Sequence, residues 1–161
     1  MKFLIAFLVF LGLIVGRILK SIAKEEIKPG KKYFRISGKI ILAILILVFL
    51  YNNLNLFGFF GLIIGFIVSS FFQVVYFYLG LGLFFSFFVS KEYNLLVASL
   101  TFIYGLFHGT LKIDNIKKIL FNFVIFSIPF LLFFIKEFIL EYNSLFFGIV
   151  LGALINFIRK K

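Results

Sequence analysis

Residues 55–89 read NLFGFFGLIIGFIVSSFFQVVYFYLGLGLFFSFFV, an apolar run without one charged side chain. As a single α-helix it would be about 52 Å long, against a bilayer hydrocarbon core of about 30 Å. The run is too apolar for water and too long for one crossing, so it is expected to fold back on itself. The reversal is placed near Ser69, Ser70 and Gln73, with Gly80–Gly82 as the alternative break. Two spans are the expected outcome, one span plus a re-entrant segment the other arrangement compatible with the run.

Outward from this stretch the chain alternates apolar runs with short basic islands, the pattern a bilayer imposes because a charge at mid-membrane is costly. Runs at Phe3–Leu19, about Phe34–Tyr51, Leu95–Leu111, Ile119–Ile135 and Leu145–Ile158 join Leu56–Phe72 and Val74–Val89 to make seven candidate spans. Most sit near the lower length limit of about 17 residues, which predicts short, little-tilted helices with Lys and Tyr ends at the interface. With an outside N-terminus, Arg17, Lys20, Lys24, Lys28, Lys31, Lys32, Arg35, Lys39, Lys112, Lys117, Lys118, Arg159, Lys160 and Lys161 fall inside. Only Lys2, Lys91 and Lys136 remain outside. Counting 55–89 as one span flips the downstream parity and spreads the basic residues far more evenly, against the positive-inside rule. The expected fold is an all-α, polytopic transmembrane bundle of about seven short spans, N-out and C-in. It forms a single integral membrane domain over residues 1–161, and the plasma membrane of a prokaryote is the expected location.

Composition leaves little room for anything else. With 63% hydrophobic and 14% charged residues, no stretch outside the apolar runs can bury a core of its own. The 28 Phe read as lipid-facing and packing side chains in a compositionally biased chain rather than stacking platforms. The net charge of +11 is accounted for by basic flanks of helix ends, and nucleic acid is not an expected partner. The absence of cysteine excludes disulfides, thiol catalysis and cysteine-ligated metal centres. Lys2 and Phe3–Val15 resemble the front of a secretory signal, but Arg17, Lys20 and Lys24 follow without a small-x-small cleavage site. A retained first span is expected.

Four G-x-x-x-G pairs punctuate the chain, Gly12/Gly16, Gly61/Gly65, Gly105/Gly109 and Gly148/Gly152, where chance predicts about one. Each falls in a span running from outside to inside, and close helix packing at all eight glycines is expected. Tyr51–Asn52, Tyr93–Asn94 and Tyr142–Asn143 mark outside turns, each ahead of a glycine-bearing span. The segments 59–65 and 146–152 match nearly position for position. Together these echoes predict one lone helix followed by three similar helical hairpins.

Few residues could carry chemistry. Arg17, Lys20, Lys24 and Lys28 fall on one helical stripe, Pro29–Gly30 is expected to end that helix in a turn, and Lys31, Lys32 and Arg35 begin the return. This basic set is a weak candidate for contact with anionic lipid or an acidic partner, diluted by Glu25 and Glu26. His108 is the only histidine and a weak candidate for a functional polar residue, with Asp114 the nearest carboxylate along the chain. Glu137 and Glu141 are spaced to share a helix face, too thin a set for a metal site. Ser69, Ser70, Gln73, Ser86, Thr101, Asn122 and Ser127 are expected to hydrogen-bond between helices, and Pro129 to kink its span.

No nucleophile-elbow, zincin, phosphate-loop or paired intramembrane aspartate motif is present. No catalytic residue, cofactor or metal is expected. The leading reading is a non-catalytic subunit or scaffold whose partners are membrane lipids and another membrane protein. The alternative is a transporter, or its membrane subunit, for a small neutral or apolar substrate. A lipid-modifying enzyme using His108 with Asp114, or Glu25 with Glu26, is the third class.

Overall fold

The computed structural model describes residues 2–52, 55–113, 115–135, 137 and 141–160, with Lys2, Phe3, Lys28, Asn52 and Ile135 described in their backbone alone. Every regular element among them is helical. They are α1 (Lys2–Ile22), α2 (Lys24–Asn52), α3 (Leu56–Phe71), α4 (Val75–Ser86), α5 (Lys91–Lys112), α6 (Ile116–Ser127), a 3-10 segment (Ile128–Ile135) and α7 (Asn143–Lys160). Five helices, within Leu4–Ile22, Pro29–Tyr51, Lys91–Lys112, Ile116–Phe134 and Asn143–Lys160, are long and apolar enough to cross a membrane. The two helices cut from the charge-free run, α3 and α4, are shorter.

The break in that run falls at Phe72–Val74, beside the expected Ser69, Ser70 and Gln73. No glycine or proline makes the turn. Instead, side chains take over carbonyls that a helix end leaves without partners. The Gln73 amide donates to the Ser70 carbonyl at 3.1 Å, and the Tyr78 hydroxyl to that of Phe72 at 3.2 Å. At the other ends, Asn55 caps α3 by accepting from the Gly58 N–H, and Ser90 caps α5 by accepting from that of Tyr93.

Contact registers give the helix directions. Gly12 faces Phe102 and Gly16 faces Leu106, so α1 and α5 are parallel; Gly61 faces Leu145 and Gly65 faces Ile149, so α3 and α7 are too. Conversely, Phe34 meets Phe107 while the Tyr93 hydroxyl reaches the Val48 carbonyl, which sets α2 antiparallel to α5. α4 runs antiparallel to α5 as well, pairing Tyr76 with His108 at one end and Ser86 with Asn94 at the other. Gly80 against Phe126 and Phe84 against Phe130 make α4 and α6 parallel.

α4 is the pillar of the bundle. Except for Phe77, every residue from Val75 to Ser86 is buried, enclosed by α5, α6, the 3-10 segment and α7, with the Phe49 ring of α2 against Gly82. At 12 residues it is about 18 Å long; a helix sheathed by its neighbours is not sized by the bilayer. α3 is its opposite. It buries only Gly58, Gly61, Gly65 and Ser69, presses that seam on α7, and leaves Phe57, Phe60, Ile64, Ile67 and Phe71 exposed.

Three expectations need correction. Pro29–Gly30 does not end a helix, because α2 runs through it from Lys24. The chain bends at Ala23 instead, with Ala23 N–H bonded to Leu19 and Ile27 N–H bonded to Ala23. Pro29 stands near the start of α2, and the carbonyl it fails to serve belongs to Glu25, an exposed residue of the first turns. The bend also splits the basic stripe, leaving Arg17 and Lys20 on α1 and Lys24 on α2. Secondly, Pro129 does not simply kink its span: from Ile128 the backbone tightens to 3-10 geometry through Ile135. Thirdly, the three hairpins do not pack alike. α4 lies against α5, but α2 with α3, and α6 with α7, have no comparable interface among the described residues. The recurrent unit is the parallel pair of glycine-seamed helices, α1 with α5 and α3 with α7.

Candidate functional site

All eight glycines of the four pairs lie at these two seams. A Cβ added at Gly12 or Gly16 would run into the carbonyl oxygens of Phe102 or Leu106, and one at Gly109 into that of Leu13. On the other seam, Gly61 and Gly65 are closed off by the carbonyls of Leu145 and Ile149, and Gly148 and Gly152 by those of Gly58 and Leu62. Gly61 and Gly148 face each other directly, a Cβ on either standing 3.0 or 2.9 Å from the other's Cα. Gly105 is the loosest of the eight, its added Cβ meeting Leu13 N at 3.1 Å. Only glycine allows backbones this close, and in lipid such packing stands in for the hydrophobic drive that water supplies to soluble bundles.

The seams bring one end of the bundle together. There the C-terminal ends of α1, α3, α5 and α7 meet the N-terminal ends of α2, α4 and α6, and the lysines and arginines of those ends gather. Two cavities open at this basic end. The first, of about 390 Å³, lies between α2 and α5. Lys31, Arg35, Lys39 and Lys112 supply its charge, and Phe34, Leu42, Tyr104, Phe107 and Leu111 its apolar wall, with Gly38 on the α2 side. The second, of about 410 Å³, is bounded by Gln73, Val75, Tyr76, Asn122, Phe157 and Lys160. His108 and Lys112 border both.

His108 is held in place between two tyrosines. Its Nδ1 lies 3.1 Å from the Tyr76 hydroxyl, one donating to the other according to the imidazole tautomer. The Tyr104 ring stacks beside it at 5.7 Å and 21°, one helical turn back on α5. Tyr76 and Tyr104 are both buried, and Phe10 of α1 packs edge-on against Tyr76 at 6.1 Å. Sequence reasoning named neither tyrosine: the spacing of four residues along one helix was a signal for Tyr104, whereas Tyr76, 32 residues away on another helix, gave none. Asp114 lies outside the described residues.

A second polar group ties α3 to α7 nearby. Asn156, buried to 1% exposure, donates to Ser69 Oγ at 2.9 Å and to Ser70 Oγ at 3.1 Å, while both hydroxyls donate to the Phe66 carbonyl. Its Oδ1 is buried without a hydrogen-bond partner. Sequence reasoning named Ser69 and Ser70 but missed Asn156, whose only signal was an asparagine inside an apolar run. At the far end Asn94 donates to Ser86 Oγ at 2.7 Å, a bond between helices, whereas Thr101 bonds within its own helix to Val97. Gln73 acts as a cap and Asn122 lines the second cavity.

The basic residues named from sequence divide. Lys31 and Arg35 line the first cavity; Arg17, Lys20, Lys24 and Lys32 do not, and the side chain of Lys28 lies outside the described residues. Lys39 and Lys112 join the cavity without having been singled out for it. Glu137 and Glu141 are exposed. Among the described residues, no three His, Cys, Asp or Glu side chains come together in a way that could hold a metal ion. No protein-family model matches the chain, nor does any curated protein or any solved structure.

Proposed function

We propose that the chain is an integral membrane protein of seven crossings, N-terminus outside and C-terminus inside, that serves as a non-catalytic subunit or scaffold in a prokaryotic plasma membrane. The alternating helix directions support the count. A parallel α1–α5 pair requires an even number of reversals, and so an odd number of helices between them, which α2, α3 and α4 supply and a merged α3–α4 span would not. The basic end then lies at the inside face, in keeping with the positive-inside rule.

The observation that carries the scaffold reading is the pair of glycine seams. They consume one face of each odd-numbered helix in rigid backbone contact and leave the outer face of α3 as a broad apolar surface. Such a surface suits lipid or the helices of a membrane partner. Native mass spectrometry of the protein gently extracted from its own membranes tests this. A stoichiometric second membrane protein is the expected result; a bare monomer or homo-oligomer throughout would refute it.

One observation favours a second reading. Two cavities that share His108 and Lys112 leave room between the helices for a small substrate, as a transporter requires. Uptake into proteoliposomes that is lost in His108→Ala would support transport over scaffolding.

A further inference from the structure

Gly38 is a glycine that helix packing does not explain. A glycine inside a helix is unfavourable relative to alanine, and the seam glycines compensate by admitting a neighbouring backbone. Gly38 admits none: a Cβ there would meet only the Phe107 Cβ, at an ordinary 3.8 Å. What its missing side chain leaves is the first cavity.

That cavity has a chemical gradient. Lys31, Arg35 and Lys39 recur every fourth residue along α2, beside Phe34, Gly38 and Leu42 with the same spacing, so both rows face α5. Lys31 and Arg35 stand with Lys112 at the end nearest the helix termini. Leu42 and Tyr104 stand deepest, and Lys39 and His108 lie between. Phe34 and Phe107 meet edge-on at 5.8 Å along one wall. Among the described residues no carboxylate lines the cavity beside its four cations.

We infer that this cavity binds the phosphate headgroup of an anionic membrane lipid, with the start of its acyl chains against Leu42, Tyr104 and Phe107. Phosphate matches the cations: the Arg35 guanidinium offers a planar fork for two phosphate oxygens, and the lysines add point charges. The apolar floor argues for a lipid over free phosphate, which would leave that surface unused. The cations argue against a zwitterionic lipid, which has no need of them. A volume of about 390 Å³ is in the range of small-ligand sites. The inference needs the basic end to lie at a membrane surface and does not depend on the scaffold role.

The test uses the full chain in detergent and native mass spectrometry, with phosphatidic acid, phosphatidylcholine and inorganic phosphate as probes. The unaltered protein is expected to retain a single phosphatidic acid with roughly tenfold preference over phosphatidylcholine. The double variant Arg35→Gln/Lys39→Gln should cut that retention by roughly thirtyfold, about fivefold for each cation, with its thermal stability unchanged. Gly38→Leu, which fills the cavity from a position with room for a side chain, should cut it similarly. Equal retention of the two lipids, or undiminished retention in the double variant, overturns the inference. Inorganic phosphate that binds as tightly as the lipid and displaces it overturns the lipid assignment in favour of a soluble ligand.

Discussion

The imidazole of His108 is positioned by groups from two helices, the Tyr76 hydroxyl on α4 and the Tyr104 ring on α5. Tyr76→Phe removes only the hydroxyl and is expected to cost about 1 kcal/mol, read as a modest fall in detergent melting temperature. It should also broaden or shift the His108 side-chain NMR signals, because one constraint on the ring is gone. Asn156 poses a different case. Ser69 and Ser70 already bond to the Phe66 carbonyl, and Asn156 Oδ1 has no partner to lose. Asn156→Leu should therefore cost only about 0.6 kcal/mol, the average for hydrogen bonds inside membrane bundles. A loss several times larger would mean that Asn156 organises the α3–α7 contact rather than decorating it.

At the scale of elements, glycines with the same spelling do opposite things. Gly65→Leu drives a branched side chain into the Ile149 backbone and is expected to abolish assembly of the monodisperse bundle in size-exclusion chromatography. Gly30→Ala meets only Phe34 ring carbons, the nearest at 3.6 Å, and should stabilise α2 by up to about 1 kcal/mol in thermal melts. Between them, Gly105→Ala should be the mildest of the seam substitutions, since Leu13 N need yield only slightly. Spacing made the seam glycines visible but could not pair them. G-x-x-x-G says that a backbone can approach, and α1 choosing α5 over α3 depends on where every other helix lies. Pro29 misled for a related reason: what a proline does depends on whether the carbonyl four residues back has another partner, which is a property of place.

For the whole molecule, the proposed seven-crossing topology makes a sharp prediction, helped by a chain with no cysteine of its own. Single cysteines at Lys24 and Lys160 should resist a membrane-impermeant maleimide in intact cells and react after permeabilisation, while one at Lys91 should react in both. Labelling of Lys91→Cys and Lys160→Cys from the same side would overturn the alternating arrangement. The bundle is also expected to behave as one unit. Both seams converge on the α4 pillar through α5 and α7, so a seam mutation on α1 should lower the melting temperature of the whole rather than release α1 alone.

The sequence by itself determined the helical class, the places where apolar runs end, and the segregation of basic residues to one end. These follow from the price of charge and unpaired backbone in a medium without water, a price set residue by residue. It also reached Ser69, Ser70 and Gln73 as the place of reversal. Tertiary structure alone decided that α4 is the buried centre and α3 the periphery, for both are apolar and free of charge, and lipid is as good a solvent for Phe as a protein interior. It alone paired the glycine helices, set Tyr76 on His108, and turned Gly38 with Lys31, Arg35, Lys39 and Lys112 into the wall of a cavity, because each of these is a relation between helices distant in the chain.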